Sequence, residues 1–152
     1  MAESPFGFQR PEESPGFLLW QTTITWQRLI KAVLEPHNVS HAQFVIMALL
    51  LWFEENHYDT TQISIVNLSK LDKMTVSQAL KKLGIQGLVV RVEHATDTRA
   101  KSASLTENGR SLIRRLIPLV ERVDAEFFSI ISDENQQSLL QILRALGNGD
   151  NT

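Results

Sequence analysis

The sequence has no cysteine, a single tyrosine and no apolar run longer than the ten residues Phe44–Phe53 (FVIMALLLWF). Without cysteine there can be no disulfide, no thiolate metal site and no thiol-based peroxide sensing, a composition compatible with a reducing cytosol. The apolar run is about half of a bilayer span, so it predicts a buried helix and no membrane anchor. The first residues, MAESPFGFQRPEESPGF, lack a basic start followed by an apolar core, so no signal peptide is expected. No nucleophile elbow, phosphate-cradling glycine loop or catalytic carboxylate spacing is present, so an enzyme is not expected. Among the four histidines, His37 and His41 straddle Ser40, while His57 and His94 have no nearby carboxylate or histidine in sequence, so neither a metal site nor a cofactor is expected. Glu54-Glu55 reads as a solvated helix end.

A strong net charge is also missing, since the total is −2 with a pI near 6.1. The distribution is less even. Lys70, Lys73, Lys81, Lys82, Arg91, Arg99 and Lys101 stand against Asp72, Glu93 and Asp97, so residues 70–101 carry +4 and the remainder −6. A positive patch on an acidic body suits an anionic partner better than the total implies. With 152 residues and 43% hydrophobic content, one domain or two joined lobes with a packed core are expected.

Residues 1–16 hold Pro5, Pro11 and Pro15 and predict an extended arm. Apolar residues from Leu18 to Leu34 recur at helical spacing up to the stop at Glu35-Pro36. Ser40 followed by Gln43 forms a capping box for a second helix to about Asn56. A short helix follows at about 62–70, with Ile63, Val66 and Leu68 or Leu71 facing inward. Asp72 can cap the next helix, MTVSQALKKLGIQG, whose Val76, Leu80 and Leu83 share one face and whose stop is Gly87. LVVRVE (88–93) and KSASL (101–105) read as two strands of a hairpin. Thr106 caps a long helix to about Ile131, interrupted by Pro118, which should kink it. Ser132 caps a last helix ending at Gly147.

This order is mainly α with a small two- to three-stranded β wing: a winged helix-turn-helix unit at 39–105, flanked by N- and C-terminal dimerisation helices at 17–38 and 106–147. In such a unit the second helix, about 73–86, enters the major groove and the hairpin tip, about 94–101, reaches the flanking minor groove. The outer face of that helix offers Lys73, Thr75, Ser77, Gln78, Lys81 and Lys82. Gln78 can bond an adenine edge in two places, Lys81 a guanine or phosphate, and the two hydroxyls either. Arg99 at the hairpin apex can enter a narrow minor groove, with Asp97 aiming its guanidinium and Lys101 meeting a phosphate.

The stretch VNLSKLDKMTVSQALKKLGIQGLVVRVEHATDTRAKSASLTENGR resembles the MarR family of bacterial winged-helix regulators, most specifically in D-x-R-x-K followed by S-L-T-x-x-G. The similarity in element order spans about 17–147. The resemblance implies a cytoplasmic homodimer, most often a repressor, that binds a palindromic operator in double-stranded DNA. Thr75, Ser77, Gln78 and Lys81 would read the groove, and Asp97, Arg99 and Lys101 would form the wing. Thr98 stands where the family often has a basic residue. Gly84 replaces a more usual charged residue and should fray the last turn of its helix by roughly 1 kcal/mol.

A dimer would cover the apolar faces of the first and last helices and place two recognition helices about 34 Å apart. Leu112, Leu116, Val120, Phe127, Leu139 and Leu143 are candidates for that interface, although each also suits an internal core. The resemblance further implies a small aromatic or phenolic anion as effector, for which Trp20, Trp26, His41, Phe44 and Trp52 are candidate lining residues. The alternative to DNA binding is a winged helix used as a protein-interaction module.

Overall fold

The computed structural model describes residues 2–93 and 101–149. The expectations for Asp97, Thr98 and Arg99 therefore lie outside the described residues. In chain order the elements are α1 (Pro15–Leu34), α2 (His41–Glu55), α3 (Gln62–Ser69), α4 (Lys73–Ile85), β1 (Val89–Glu93), β2 (Lys101–Leu105), α5 (Glu107–Phe128) and α6 (Asp133–Gly147). Short 3-10 turns precede α1 and α2 at Pro11–Glu13 and Glu35–His37.

Each described helix starts in the same way. Ser14, Ser40, Thr61, Asp72, Thr106 and Ser132 each accept a hydrogen bond from the backbone N–H three residues on. A side-chain oxygen there satisfies one otherwise orphaned donor and stabilises a helix by typically about 1 kcal/mol. Ser40 and Gln43 complete a reciprocal box, as the sequence predicts. Ser14 with Pro15 starts α1 inside the expected arm, because proline at the first helical position loses no bond and brings its φ already set.

α5 stays a single helix through Pro118. The buried side chains of Ile113, Leu116 and Val120 hold the turns on both sides of the proline to the core. It ends at Phe128, short of the expected Ile131, where Ser129 N–H turns back to the Glu126 carbonyl at 3.2 Å.

The core gathers α1 (Ile30, Leu34), α2 (Ile46, Met47, Leu50), α3 (Ile65), α4 (Val76, Leu80, Leu83) and α5 (Ile113, Leu116), all essentially inaccessible to solvent. Burial of each such side chain stabilises the fold by about 1.5–3 kcal/mol. In α3 the inward residue is Ile65, with Val66 packed beside it; of the alternatives Leu68 and Leu71 it is Leu71 that packs against the core, whereas Ile63, expected inside, is exposed along with Leu68. A helix of eight residues between α2 and α4 has room for one deep contact, and its sequence offers several apolar choices.

β1 and β2 pair antiparallel in the register Val89↔Leu105 to Glu93↔Lys101. A single bridge, Thr61↔Ser102, adds the start of a third strand on the other edge of β2. Glu54 corrects its expected solvated role, whereas Glu55 stays exposed at the helix end. Arg110 Nε and Nη2 donate to the Glu54 carboxylate at 3.0–3.1 Å, and Arg114 donates to Glu55 at 3.4 Å. Both pairs tie the end of α2 to α5.

The terminal helices leave apolar surface open. Leu19 and Trp20 on α1 and Leu140, Ile142, Leu143 and Leu146 on α6 are exposed, and α6 buries no residue. Among the described residues no helix is long and apolar enough to cross a membrane, and no group of three or more His, Asp or Glu could hold a metal ion.

Candidate nucleic-acid interface

α4 follows α3 after the turn Lys70–Asp72, in which Lys70 adopts the left-handed conformation. The Asp72 carboxylate accepts from Thr75 N–H at 2.7 Å and from the Thr75 hydroxyl at 2.9 Å. Those bonds, the backbone one foremost, hold its carboxyl below the ordinary value of 3.8. The far end closes with Gly87 at φ 74°, where Gly87 N–H returns to Gly84 O and Leu88 N–H to Leu83 O at 3.1 and 2.9 Å. These two return bonds define a Schellman stop, which a glycine in the left-handed region makes without a Cβ clash. α4 keeps its helical form through Gly84 to Ile85.

The amphipathic pattern then fixes what faces outward. Val76, Leu80 and Leu83 enter the core, which leaves Lys73, Gln78, Lys81 and Lys82 exposed. Thr75 and Ser77 are only partly exposed and already engaged. Thr75 donates to its cap, and Ser77 Oγ accepts from Arg91 Nη2 at 3.4 Å. The same Arg91 nitrogen donates to Gln62 Oε1 at 3.3 Å, so one guanidinium on β1 joins α3 to α4. Sequence reading counted Arg91 in the positive segment but gave it no role. Arg91 pairs with the buried Ala103 on the sheet face that meets the helices, and its partners on α3 and α4 are distant in sequence.

Lys101, at the start of β2, lies near Lys73 across a groove of about 430 Å³ that Gln62 and Asn67 also line. The hairpin is held at this angle by its return to α5. Thr106 N–H donates to Leu88 O at 3.0 Å, and the Thr106 hydroxyl donates to Gly87 O at 2.7 Å. A Cβ on Gly109 would overlap the Leu88 carbonyl, so the T-x-x-G pattern after the wing marks a place where helix meets strand backbone. The described part of this surface therefore presents Gln78 and four lysines from two elements, with no buried polar side-chain atom left unpaired among the described residues.

The expected effector residues do not converge. Trp20 is 65% exposed on α1, Phe44 belongs to the core, and Trp52 lies with Phe53 and Tyr58 near the end of α2. Only His41 of that set borders a cleft between α1 and the start of α2. This cleft is about 440 Å³ and is also lined by Lys31, Glu35, Gln43 and Lys82. Apolar residues at helical spacing were drawn to the core or to separate faces. Trp26 sits beside the cleft, edge-on to His41 with centroids 5.0 Å apart, and its indole N–H donates to Asp124 at 2.8 Å. Burial pushes the His41 imidazole below its ordinary 6.5, with the Asp124 carboxylate opposing. Gln43 Nε2 donates to Gln86 Oε1 at 3.1 Å, and Gln86 Nε2 donates to Asn38 O at 3.0 Å, linking the cleft wall to the end of α4.

The expected dimer residues divide similarly. Leu116 and Val120 are buried in the chain's own core and cannot meet a partner, because α5 turns that face towards α1 and α2. Leu112, Phe127 and Leu139 are partly buried and Leu143 is exposed.

A family model described as an ArnR1-like winged-helix domain matches residues 35–123. The uncharacterized HTH-type transcriptional regulator YdcH of Bacillus subtilis is 34% identical over 137 residues, covering 90% of this chain and 93% of the relative. The fold superposes on Bordetella bronchiseptica BpsR, whose DNA binding is regulated by 6-hydroxynicotinic acid, with a TM-score of 0.84 at 20% identity, over 94% of this chain and 99% of that one. It also superposes on a mutant Escherichia coli MarR complexed with operator DNA, with a TM-score of 0.77 at 20% identity, over 89% and 95% of the two chains.

Proposed function

Because the chain belongs to the MarR family of winged-helix transcriptional regulators, we propose that it acts in the cytoplasm as a homodimeric repressor without catalytic activity, reading a palindromic operator. The observation that carries this reading is the outer face of α4, where Gln78, Lys73, Lys81 and Lys82 stand clear of the core beside Lys101 of the wing. Gln78 and Lys81 read base edges, Lys73 and Lys101 contact phosphates, and Asp97 with Arg99 forms the minor-groove tip. Thr75 and Ser77 retain hydroxyl lone pairs for DNA, with their other bonds holding the helix in place. Dimerisation buries the open faces of α1 and α6, and 17–38 with 106–147 serve as the dimer lobe around the DNA-binding unit 39–105.

The effector in this reading is a small aromatic or phenolic anion, and its seat is the His41 cleft. Lys31 and Lys82 supply positive charge there, and the Gln43–Gln86 link supplies a route to α4. Lys82 then serves either DNA or the anion, which gives occupancy a physical means of weakening DNA binding.

Selection of the purified protein on random duplexes, followed by fluorescence anisotropy, tests the reading. A palindrome with half-sites one helical turn apart is expected, with weaker binding by Arg99→Ala. Absence of any enriched sequence would overturn it in favour of a protein-interaction module.

A further inference from the structure

One cleft lies apart from both the α4 face and the His41 cleft. It opens between the end of α2 and the outer side of α3, has a volume of about 430 Å³, and takes its walls from Trp52, Phe53, Tyr58, Asp59, Ser64 and Asn67. The end of α2 shapes it. His57 adopts a left-handed φ of 58°, and Tyr58 N–H returns to Phe53 O at 2.9 Å, so the chain folds back over the last turn. That reversal sets the Tyr58 ring 4.9 Å from Trp52 at a tilt of 36°, while Trp52 stands edge-on to Phe53 at 6.0 Å and 68°. All three rings line the cleft, with Trp52 and Tyr58 the exposed pair. A helix stop needs only one apolar contact of this kind, yet Trp52 and Tyr58 remain 45% and 60% exposed.

Charge decides what such a corner suits. Among the described residues Asp59 is the lone charged one lining this cleft, and no Lys or Arg lines it. Aromatic faces carry negative potential, so rings and carboxylate attract the same sign. We propose that this cleft binds a small organic cation of the alkylated ammonium class, its methyl groups against Trp52 and Tyr58 and its charge beside Asp59. Ser64 and Asn67 on α3 supply polar contacts for the rest of the molecule. Asn67 also lines the Lys73–Lys101 groove, so an occupant sits one helix away from the proposed DNA face.

The experiment pairs choline with its uncharged carbon isostere, 3,3-dimethyl-1-butanol, in calorimetric titrations of the full chain. Indole N–H signals of the three tryptophans are followed alongside, with Trp52 assigned through Trp52→Phe. Choline is expected to bind about threefold or more tighter than the isostere and to shift the Trp52 signal with the Trp26 signal unmoved. Asp59→Asn, checked for folding by circular dichroism, should reduce that preference. Equal binding of the two probes, a preference undiminished by Asp59→Asn, a shift at another tryptophan alone, or no choline binding would each overturn the proposal.

Discussion

Gly109 shows how one atom constrains the wing. Its place at the third position of α5 sets it against the Leu88 carbonyl, while Thr106, three residues earlier, ties down Gly87 and Leu88 with two hydrogen bonds. Gly109→Ala is expected to destabilise the fold by about 1–3 kcal/mol, because an added methyl must push strand backbone rather than a side chain. Denaturant unfolding of the two proteins measures this, and an unchanged midpoint would mean the joint has slack. The sequence displayed the residue pattern S-L-T-x-x-G but not its cause, since the carbonyl that excludes a side chain lies twenty-one positions earlier. Arg91 is similar. Its bonds to Gln62 and Ser77 join residues 29 and 14 positions away. Ser77 looked free for bases for the same reason, whereas the bond that engages Thr75 goes to Asp72 only three positions away.

At the scale of elements, what depends on near neighbours was readable. Helix starts were legible at Ser40, Asp72, Thr106 and Ser132 because a cap needs only the next three residues. The stop at Gly87 was legible because a left-handed turn selects glycine. What depends on distant elements was not. Ile63 and Leu68 carried the right hydrophobicity for the core and lost that place to Ile65, and Glu54-Glu55 found Arg110 and Arg114 from a helix over fifty residues on. The Glu54–Arg110 pair has both side chains partly shielded, at 25% and 37% exposure. Its fork geometry places it above an ordinary surface pair, so a double-mutant cycle with Glu54→Gln and Arg110→Gln should return a coupling of about 0.5–1 kcal/mol after solvent screening. A coupling of zero would reduce the pair to a crystal-like contact without consequence for how α2 meets α5.

For the whole molecule, charge and apolar surface are partitioned. The segment 70–101 gathers the positive charge that the total of −2 conceals, and the structure sets Lys73 and Lys101 of that segment across one groove. Exposed apolar side chains of α1 and α6 lie on helices that do not line that groove, while Ile63 of α3 does line it. On α5, Leu116 and Val120 take the internal-core place that the sequence left open, since an amphipathic helix does not announce whether its apolar face meets its own chain or another. Of the effector set, Phe44 is taken by the core and Trp20 is left outside, while Trp26 and His41 meet.

The most direct test of the DNA-reading account is the salt dependence of binding to the selected palindrome. The account predicts a steep fall in affinity as salt rises, a slope reduced by about 1 in Lys101→Gln, and in Gln78→Ala an unchanged slope with lost discrimination against a scrambled duplex. Salt-independent binding, or Gln78→Ala discriminating as well as the parent, would contradict it.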